Sequence, residues 1–373
     1  MGRVKVGIVF GGRSVEHEIS LLSARSVLKN IDTDKYDVFP IFIEKTGTWR
    51  KAFLGNWLDN GTPEADKESF LSPSLNPKNP VFYEIRGNRI EREHKLDVIF
   101  PVLHGTYGED GTVQGLLELM GIPFVGASVL GSSVGMDKII MKTVFKETGL
   151  PVVRFFGLYF HEWKTNREEI KKTIVQEIGI PCFVKAANLG SSIGITKVKT
   201  EKQLDEAMEI AGSFSHRLIV EEAIENPREV EISVLGNENP IVSLPGEIVP
   251  NREFYDYRAK YIEDNTTLII PANLDQGLLE KLKTYAIRAF KAIDCSGMGR
   301  VDFLIQRGTD KIFVSEINTI PGFTPVSMYP KLWEVSGITF TELISKLIEL
   351  ALERYRTRSR LNTDLAGKIN NHL

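Results

Sequence analysis

Val4 to Phe10, apolar but for Lys5, reads as a buried strand that stops abruptly at Gly11-Gly12. Val15, Ile19 and Leu22 follow at helical spacing, and a second apolar run covers 96–103. The segment 112–120 reads as a helix closed by Gly121, with Pro123 just beyond. Apolar strands alternating with helices predict a mainly parallel, doubly wound sheet, whose ligand sites lie beyond the strand C-termini. Residues 50–80 interrupt this pattern; polar, with several Pro and Asn, they read as a surface insertion.

From about Ser132 a helical pattern runs to Gly149-Leu150-Pro151. Asn166-x-x-Glu169 and Thr200-x-x-Gln203 have the form of capping boxes opening two further helices. Between those helices lie a short strand, Cys182-Phe-Val-Lys185-Ala, and the loop Asn188-Leu-Gly-Ser-Ser-Ile-Gly194. Residues 217–221 and 229–235 read as strands. An irregular loop over 244–265, a helix near 274–293, and two strands within 299–318 follow. A terminal helix carries Phe340, Leu343, Ile344, Leu347 and Ile348 on one stripe and is expected to fray after Arg356. The fold class is α/β, turning to α+β in the C-terminal parts.

At 373 residues the chain is long enough for two or three domains. With 42% hydrophobic and 25% charged residues it is an ordinary globular composition, which excludes wholesale disorder. A formal net charge of −3 argues against a general nucleic-acid binder. Cys182 and Cys295 are too few for a disulfide framework or a multi-cysteine zinc site. No apolar run approaches the ~20 residues that cross a bilayer, and the first residues lead into a strand without the features of a signal peptide. A cytoplasmic protein without membrane partners is expected.

The densest chemistry lies in the hairpin Gly-Arg300-Val-Asp302-Phe-Leu-Ile … Ile-Phe-Val-Ser-Glu316-Ile-Asn318. Side chains two apart share a sheet face, so Arg300 aligns with Asp302 and Glu316 with Asn318. If the hairpin is centred on Thr309, Asp302 faces Glu316 and Arg300 faces Asn318. Carboxylates directly opposed repel one another, and a divalent cation between them would reverse that cost. Two carboxylates and an amide are hard oxygen donors of the kind Mg²⁺ takes. A solvent-facing sheet edge would show the same alternation, and a bulge would shift the register. After Asn318 the chain passes at once into a Gly/Pro loop, Thr-Ile-Pro-Gly322-Phe-Thr-Pro.

The 188–194 loop, with Ser191 and Ser192 between its glycines, follows a strand containing Lys185. Main-chain donors of such a loop wrap phosphates while a lysine neutralises charge. It is not a Walker A loop, and Gly11-Gly12 lacks the G-x-G-x-x-G spacing of a dinucleotide site. Lys138 lies in a helical Met-Asp-Lys-Ile-Ile-Met-Lys run, where most lysines are solvated. Glu221-Glu222-Ala-Ile224 is an exposed acidic turn or an adenosine site. Glu16 opens a helix at a strand end, where it either caps the helix or receives a substrate ammonium. His104, in Val-Leu-His-Gly-Thr-Tyr-Gly-Glu-Asp-Gly, ends another strand at the same mouth. Tyr255, Tyr257, Lys260 and Tyr261 cluster in the long loop, which suits a lid.

The segments Val-Phe-Gly-Gly-Arg-Ser-Val-Glu16-His-Glu-Ile-Ser, His104-Gly-x-x-Gly-Glu-Asp-Gly, Gly190-Ser-Ser-Ile-Gly194, Tyr257-x-x-Lys260-Tyr261 and Arg300-Val-Asp302 … Glu316-x-Asn318-Thr-x-Pro-Gly322 occur in this order. Together they resemble D-alanine–D-alanine ligases of the ATP-grasp superfamily. The resemblance covers the chain except 50–80 and the tail, and implies three domains, here 1–130, 131–236 and 237–373. ATP, the co-substrate, would lie between the second and third. Lys138, Lys185 and the lid's Lys260 would contact its phosphates with Ser191 and Ser192 of the loop. Glu221, Glu222 and Ile224 would line the adenosine pocket, and Glu229 would meet the ribose. Asp302, Glu316 and Asn318 would hold two Mg²⁺, with Mn²⁺ a candidate substitute. Glu16 would take the first D-alanine's ammonium, with His104 at the same substrate site, and would join Ser191 and Tyr261 in a hydrogen-bonded trio. Ser327 and Met328 would receive the second D-alanine's carboxylate, and Arg300 with the Gly322 N–H would stabilise the tetrahedral oxyanion.

The resemblance implies attack of the first carboxylate on the γ-phosphate, giving D-alanyl phosphate, and then attack by the second amine, yielding a peptidoglycan precursor. It also implies a homodimer. Glu222 stands where some relatives have Lys, which leaves that adenine contact to the main chain. The alternatives are a D-alanine–D-lactate ligase, against which Tyr261 stands because it resembles the dipeptide-forming members, a D-alanine–D-serine ligase, and a non-catalytic nucleotide sensor.

Overall fold

Residues 2–59, 61–190, 194–249 and 267–361 are described by a computed structural model. The strand Val4–Gly11 runs parallel to both of its neighbours, Tyr36–Ile43 and Val98–Val102. Val6, Ile8, Val9 and Phe10 have no exposed surface, so both faces are covered from Val6 onward, and Lys5, the one polar residue of the run, is exposed at its start. Trp49–Phe53 and Glu64–Ala65 extend this sheet antiparallel at one edge, so the parallel pattern holds at its centre and not throughout.

The helix His17–Asn30 does not bury the expected stripe. Val15 and Leu22 are exposed, and the inner face is Ile19, Ser20, Ser23, Ala24, Val27 and Leu28. Serines stand there because the helix crosses strand ends whose backbone needs partners. Gly11 N–H donates to Ser20 Oγ at 2.8 Å, and Ser20 donates to the Val102 carbonyl. Thr112–Met120 forms with its left-handed Gly121 cap (φ 70°), as the spacing predicts.

Residues 50–80 are not a surface insertion. Trp57 stacks on Phe10 with ring centroids 5.1 Å apart, and Leu71 is buried with Phe82. Ser69–Pro73, Val81–Arg86 and Arg89–Lys95 form a three-stranded antiparallel sheet.

The helical pattern from Ser132 is two helices, Val129–Met136 and Lys138–Glu147. Asp137 separates them: its extended backbone (φ −88°, ψ 105°) ends the first, and its carboxylate accepts from the Ile139 and Ile140 N–H groups to cap the second. Asn166 is the N-cap of Arg167–Glu177, but its side chain makes no capping bond and the expected box with Glu169 is not formed. At Thr200 the N–H donates to Gln203 Oε1 at 3.1 Å, opening a 3₁₀ turn that leads into Leu204–Gly212. Behind these helices Phe155–Tyr159, Cys182–Ala186, Thr196–Val198 and Arg217–Glu222 form a four-stranded antiparallel sheet over Trp163, Ile174, Met208 and Val220.

A six-stranded sheet follows, with Thr267–Ile269, Gly246–Val249, Pro227–Gly236, Gly297–Gln306 and Lys311–Asn318 in that order and Ile241–Val242 beside Pro227–Gly236. Its buried side packs against Lys138–Glu147 and Gln276–Ala292. The expected loop over 244–265 therefore begins with a strand, Gly246–Val249. The terminal helix, Phe340–Ser359, continues past Arg356. Its Leu343, Ile344, Leu347 and Ile348 share one core with Val6 and Ile8, joining the two ends of the chain.

Candidate active site

Gln306 pairs with Lys311 and Phe303 with Val314, one residue out of step with a hairpin centred on Thr309. The register shifts between Asp302 and Phe303, where Ser315 is the extra residue, and beyond it Asp302 faces Glu316 and Arg300 faces Asn318. The expected juxtaposition is present, produced by a bulge rather than by the turn. Without it Glu316 would fall on the side of Val301, which is fully buried.

Glu231 continues the acidic row, because Pro227–Gly236 pairs it directly with Asp302. Arg300 lies within this row. It holds Asp302 through Nε and Nη2 at 2.7 and 2.6 Å, and Glu231 at 2.9 Å. Burial opposes its charge, but Asp302 and Glu231 keep the guanidinium pKa well above its usual value. Asn318 Nδ2 donates to Asp302 at 3.2 Å. Among the described residues no three His, Cys, Asp or Glu side chains gather as a metal site. Two carboxylates and a carboxamide on one face are nevertheless the hard-oxygen donor set that suits Mg²⁺.

Lys138 is not solvated. At the start of its helix it is 8% exposed, donates to the Leu189 carbonyl at 2.8 Å and lies 3.4 Å from Glu316 Oε2. It spans the glycine loop and the acidic hairpin. Lys185 is ion-paired to Glu221 at 2.6 Å, and Lys142 meets the other oxygen of Glu221 at 3.3 Å. Burial works against the Glu221 charge, yet Lys142 and Lys185 hold its pKa down at about 2. Glu221 is thus a buried ion-pair centre, not part of an exposed turn. Glu229 adds to the field that raises the Lys185 pKa against burial. Glu222 is spent on Arg154, a two-pronged pair at 3.0 Å, consistent with a contact through its main chain only. Ile224 is half-buried two residues beyond the strand Arg217–Glu222.

Glu16 occupies the N-cap of His17–Asn30 without making a capping bond. Its buried carboxylate is turned toward two loops: a Cβ at Gly105 would stand 2.5 Å from Oε2, and one at Gly190 3.4 Å away. That places it between the first sheet and the glycine loop. Beside it a cavity of about 460 Å³ opens at the strand C-termini, lined by Gly12, Arg13, Leu103, His104 and Tyr107. His104 Nε2 is 2.9 Å from Ser23 Oγ, which also accepts from the Phe323 N–H at 3.2 Å. Burial disfavours the imidazolium, but Glu109 and Glu16 outweigh it and raise the His104 pKa.

Gly322 lies against Ser327, whose Oγ would be 2.6 Å from a Cβ at 322. That hydroxyl is 2.7 Å from Thr324 Oγ1. Met328 begins a helix, but its side chain is buried with Ile248 and Leu332. Only its main chain can meet a carboxylate there. Ser191, Ser192, Tyr255, Tyr257, Lys260 and Tyr261 lie outside the described residues.

Sequence reasoning missed Glu231, Lys142 and Ser23. The first two carried a signal, since Glu231 shares a strand face with Glu229 and Lys142 a helix face with Lys138. Ser23 carried none, because its partners come from 81 and 300 residues away.

Two family models match, described as D-ala D-ala ligase N-terminus over residues 5–127 and D-ala D-ala ligase C-terminus over 144–349. The chain is 49% identical over 352 residues to a D-alanine–D-alanine ligase of Clostridium acetobutylicum, covering 94% of this chain and 98% of that protein. The solved D-alanine–D-alanine ligase of Coxiella burnetii superposes with a TM-score of 0.79 at 34% identity, covering 96% of this chain and 97% of the other. The VanG D-Ala:D-Ser ligase of Enterococcus faecalis gives 0.81 at 36% identity, covering 94% and 100%. No helix among the described residues is long and apolar enough to cross a membrane.

Proposed function

The chain belongs to the D-alanine–D-alanine ligase family, and from that premise we propose how its own residues divide the work of the family's reaction. The enzyme uses ATP to join two D-alanines, through D-alanyl phosphate, into the dipeptide used for peptidoglycan. Curated relatives and both family models support this product rather than a D-lactate or D-serine ester or amide, or a silent sensor.

Glu16 receives the ammonium of the first D-alanine and aims its carboxylate at the γ-phosphate. His104, held by Ser23, keeps the neighbouring loop in place. Lys138 and Lys185 offset phosphate charge, while Glu221, the Glu222 main chain, Ile224 and Glu229 receive the nucleoside. Asp302, Glu316 and Asn318 would hold Mg²⁺, two ions in the family pattern, which when bound draws charge off the phosphate oxygens. Arg300 and the Gly322 N–H stabilise the oxyanion formed when the second amine attacks, an interaction of the kind worth ~3 kcal/mol. Ser327 and the Met328 main chain take the second carboxylate. Ser191, Ser192, Lys260 and Tyr261 complete the site on the strength of the motif match alone. A cytoplasmic homodimer with domains near 1–130, 131–236 and 237–373 belongs to the same proposal, with Pro227–Gly236 hydrogen-bonded to the third part.

The observation that carries this reading is the single cluster formed by the Asp302–Glu316 pair, Lys138 and the glycine loop. ADP release that requires D-alanine, with D-alanyl-D-alanine as product, is the expected result. ADP release indifferent to D-alanine would overturn it.

A further inference from the structure

Lys142 is a fully buried cation that none of these steps uses. It lies one helical turn from Lys138 on Lys138–Glu147, and the two ammonium groups straddle the bulge that places Glu316. Lys138 reaches the Glu316 carboxylate, whereas Lys142 Nζ donates to the carbonyl of Ser315, the extra residue, at 2.8 Å. Between them on the same helix, Met141 Sδ accepts from the Ile317 N–H at 3.5 Å. Lys311–Asn318 is the edge strand of its sheet. Its outward backbone groups would otherwise lack partners, and one helix supplies them over residues 315–317. Lys142 also faces Glu221, 3.3 Å away, in the region assigned above to the nucleoside. Burial pushes its ammonium pKa down and Glu221 pushes it back.

We propose that Lys142 is a positioning residue that holds the Ser315 bulge, thereby keeping Glu316 on the face of Asp302 and tying the metal-binding hairpin to the nucleoside end of the site. This rests on the function proposed above. An apolar residue of similar length would fill the space but leave the bulge unanchored, and the edge strand could slip by one residue, which sends Glu316 toward the core. The consequence is specific: the response to Mg²⁺ suffers, while binding of the nucleotide without metal suffers less.

The test is calorimetric titration of the full chain with ADP, in EDTA and across a range of Mg²⁺, for wild type, Lys142→Met and Lys142→Arg. Wild type should bind ADP more tightly with Mg²⁺. Lys142→Met should need at least ~10-fold more Mg²⁺ for the same tightening, the scale typical of residues that orient metal ligands, and Lys142→Arg should recover most of it. If Lys142→Met does not fold, Lys142→Met/Glu221→Gln removes the charge and its counter-charge together, and its Mg²⁺ response at saturating ADP is read instead. A folded variant with the wild-type Mg²⁺ response, or a wild type with no Mg²⁺ response, overturns the proposal. Because this readout needs no turnover, it is separate from the ligase reading, which falls only if D-alanine-dependent ADP release is absent from the wild type.

Discussion

Asp302 faces Glu316 across two antiparallel strands because Ser315, just before Glu316, has no partner on the opposite strand. Like charges in that position weaken a sheet, and Lys138 and Arg300 offset them. Glu316→Gln should therefore leave the ligand-free melting temperature unchanged or higher. It should lower kcat by at least ~100-fold, beyond the 10–100-fold typical of outer-shell partners of a metal. Thermal unfolding without ligand checks the first part; with ADP, with and without Mg²⁺, a wild-type-sized Mg²⁺ effect would remove Glu316 from the metal site.

Glu16 lies between Gly105 and Gly190 without capping its helix. Glu16→Gln should raise KM for the first D-alanine by ~30-fold, about 2 kcal/mol for losing a charged hydrogen bond, with little change in KM for ATP. An unchanged D-alanine KM would reject the ammonium contact.

Arg300, proposed above to stabilise the oxyanion, also neutralises Asp302 and Glu231. Arg300→Ala would leave buried carboxylates uncompensated at a cost of about 3–5 kcal/mol, confounding stability with catalysis. Arg300→Lys keeps the charge but loses the planar fork. It should reduce kcat by ~100-fold with KM for ATP nearly constant, and equal losses in both would contradict an oxyanion role.

Glu221 has a pKa of about 2 in the folded protein against 4.5 for the free side chain. A depressed carboxyl contributes stability that is complete above its unfolded value and is lost as pH falls toward the folded one. The window is thus about pH 4.5 down to 2, and the contribution is roughly 3 kcal/mol. The charges facing it are Lys142 and Lys138 from one helix and Lys185 from the adjacent strand. Denaturant unfolding of wild type and Glu221→Gln should show a shallower acid limb for the variant; parallel limbs would dismiss the linkage.

A Cβ at Gly322 would stand 2.6 Å from the Ser327 hydroxyl oxygen. Gly322→Ala must push that group away, an overpacking cost of about 1–3 kcal/mol. KM for the second D-alanine should rise ~10-fold while the first is spared, as separable in kinetics with the two sites resolved. A shift confined to the first site would place Ser327 elsewhere.

Local pattern was sufficient wherever one element decides its own form. The Val4–Phe10 strand and the helix 112–120 with Gly121 follow from runs and caps. Misreadings arose where a distant surface sets burial. Val15 and Leu22 have the spacing of a core stripe but face solvent, because the strand ends beneath that helix call for serine hydroxyls. Residues 50–80 look like an insertion until Phe10 covers Trp57. The register shows the same division, with Asp302 opposite Glu316 as expected but for a different reason: the turn puts the strands one residue out of step and Ser315 restores them.

By itself, then, the chain's order of residues carried the motifs that mark the family, and with them the reaction that the resemblance implies, because motifs reside in short stretches of sequence. What only the tertiary structure decided is charge and burial: that Lys138, Lys142, Lys185 and Arg300 are drawn inside against Glu221, Glu231, Asp302 and Glu316. A lysine written next to an isoleucine has no preferred partner until the fold removes water from it. Desolvation makes pairing obligatory, and the partners it finds come from strands far away in the sequence.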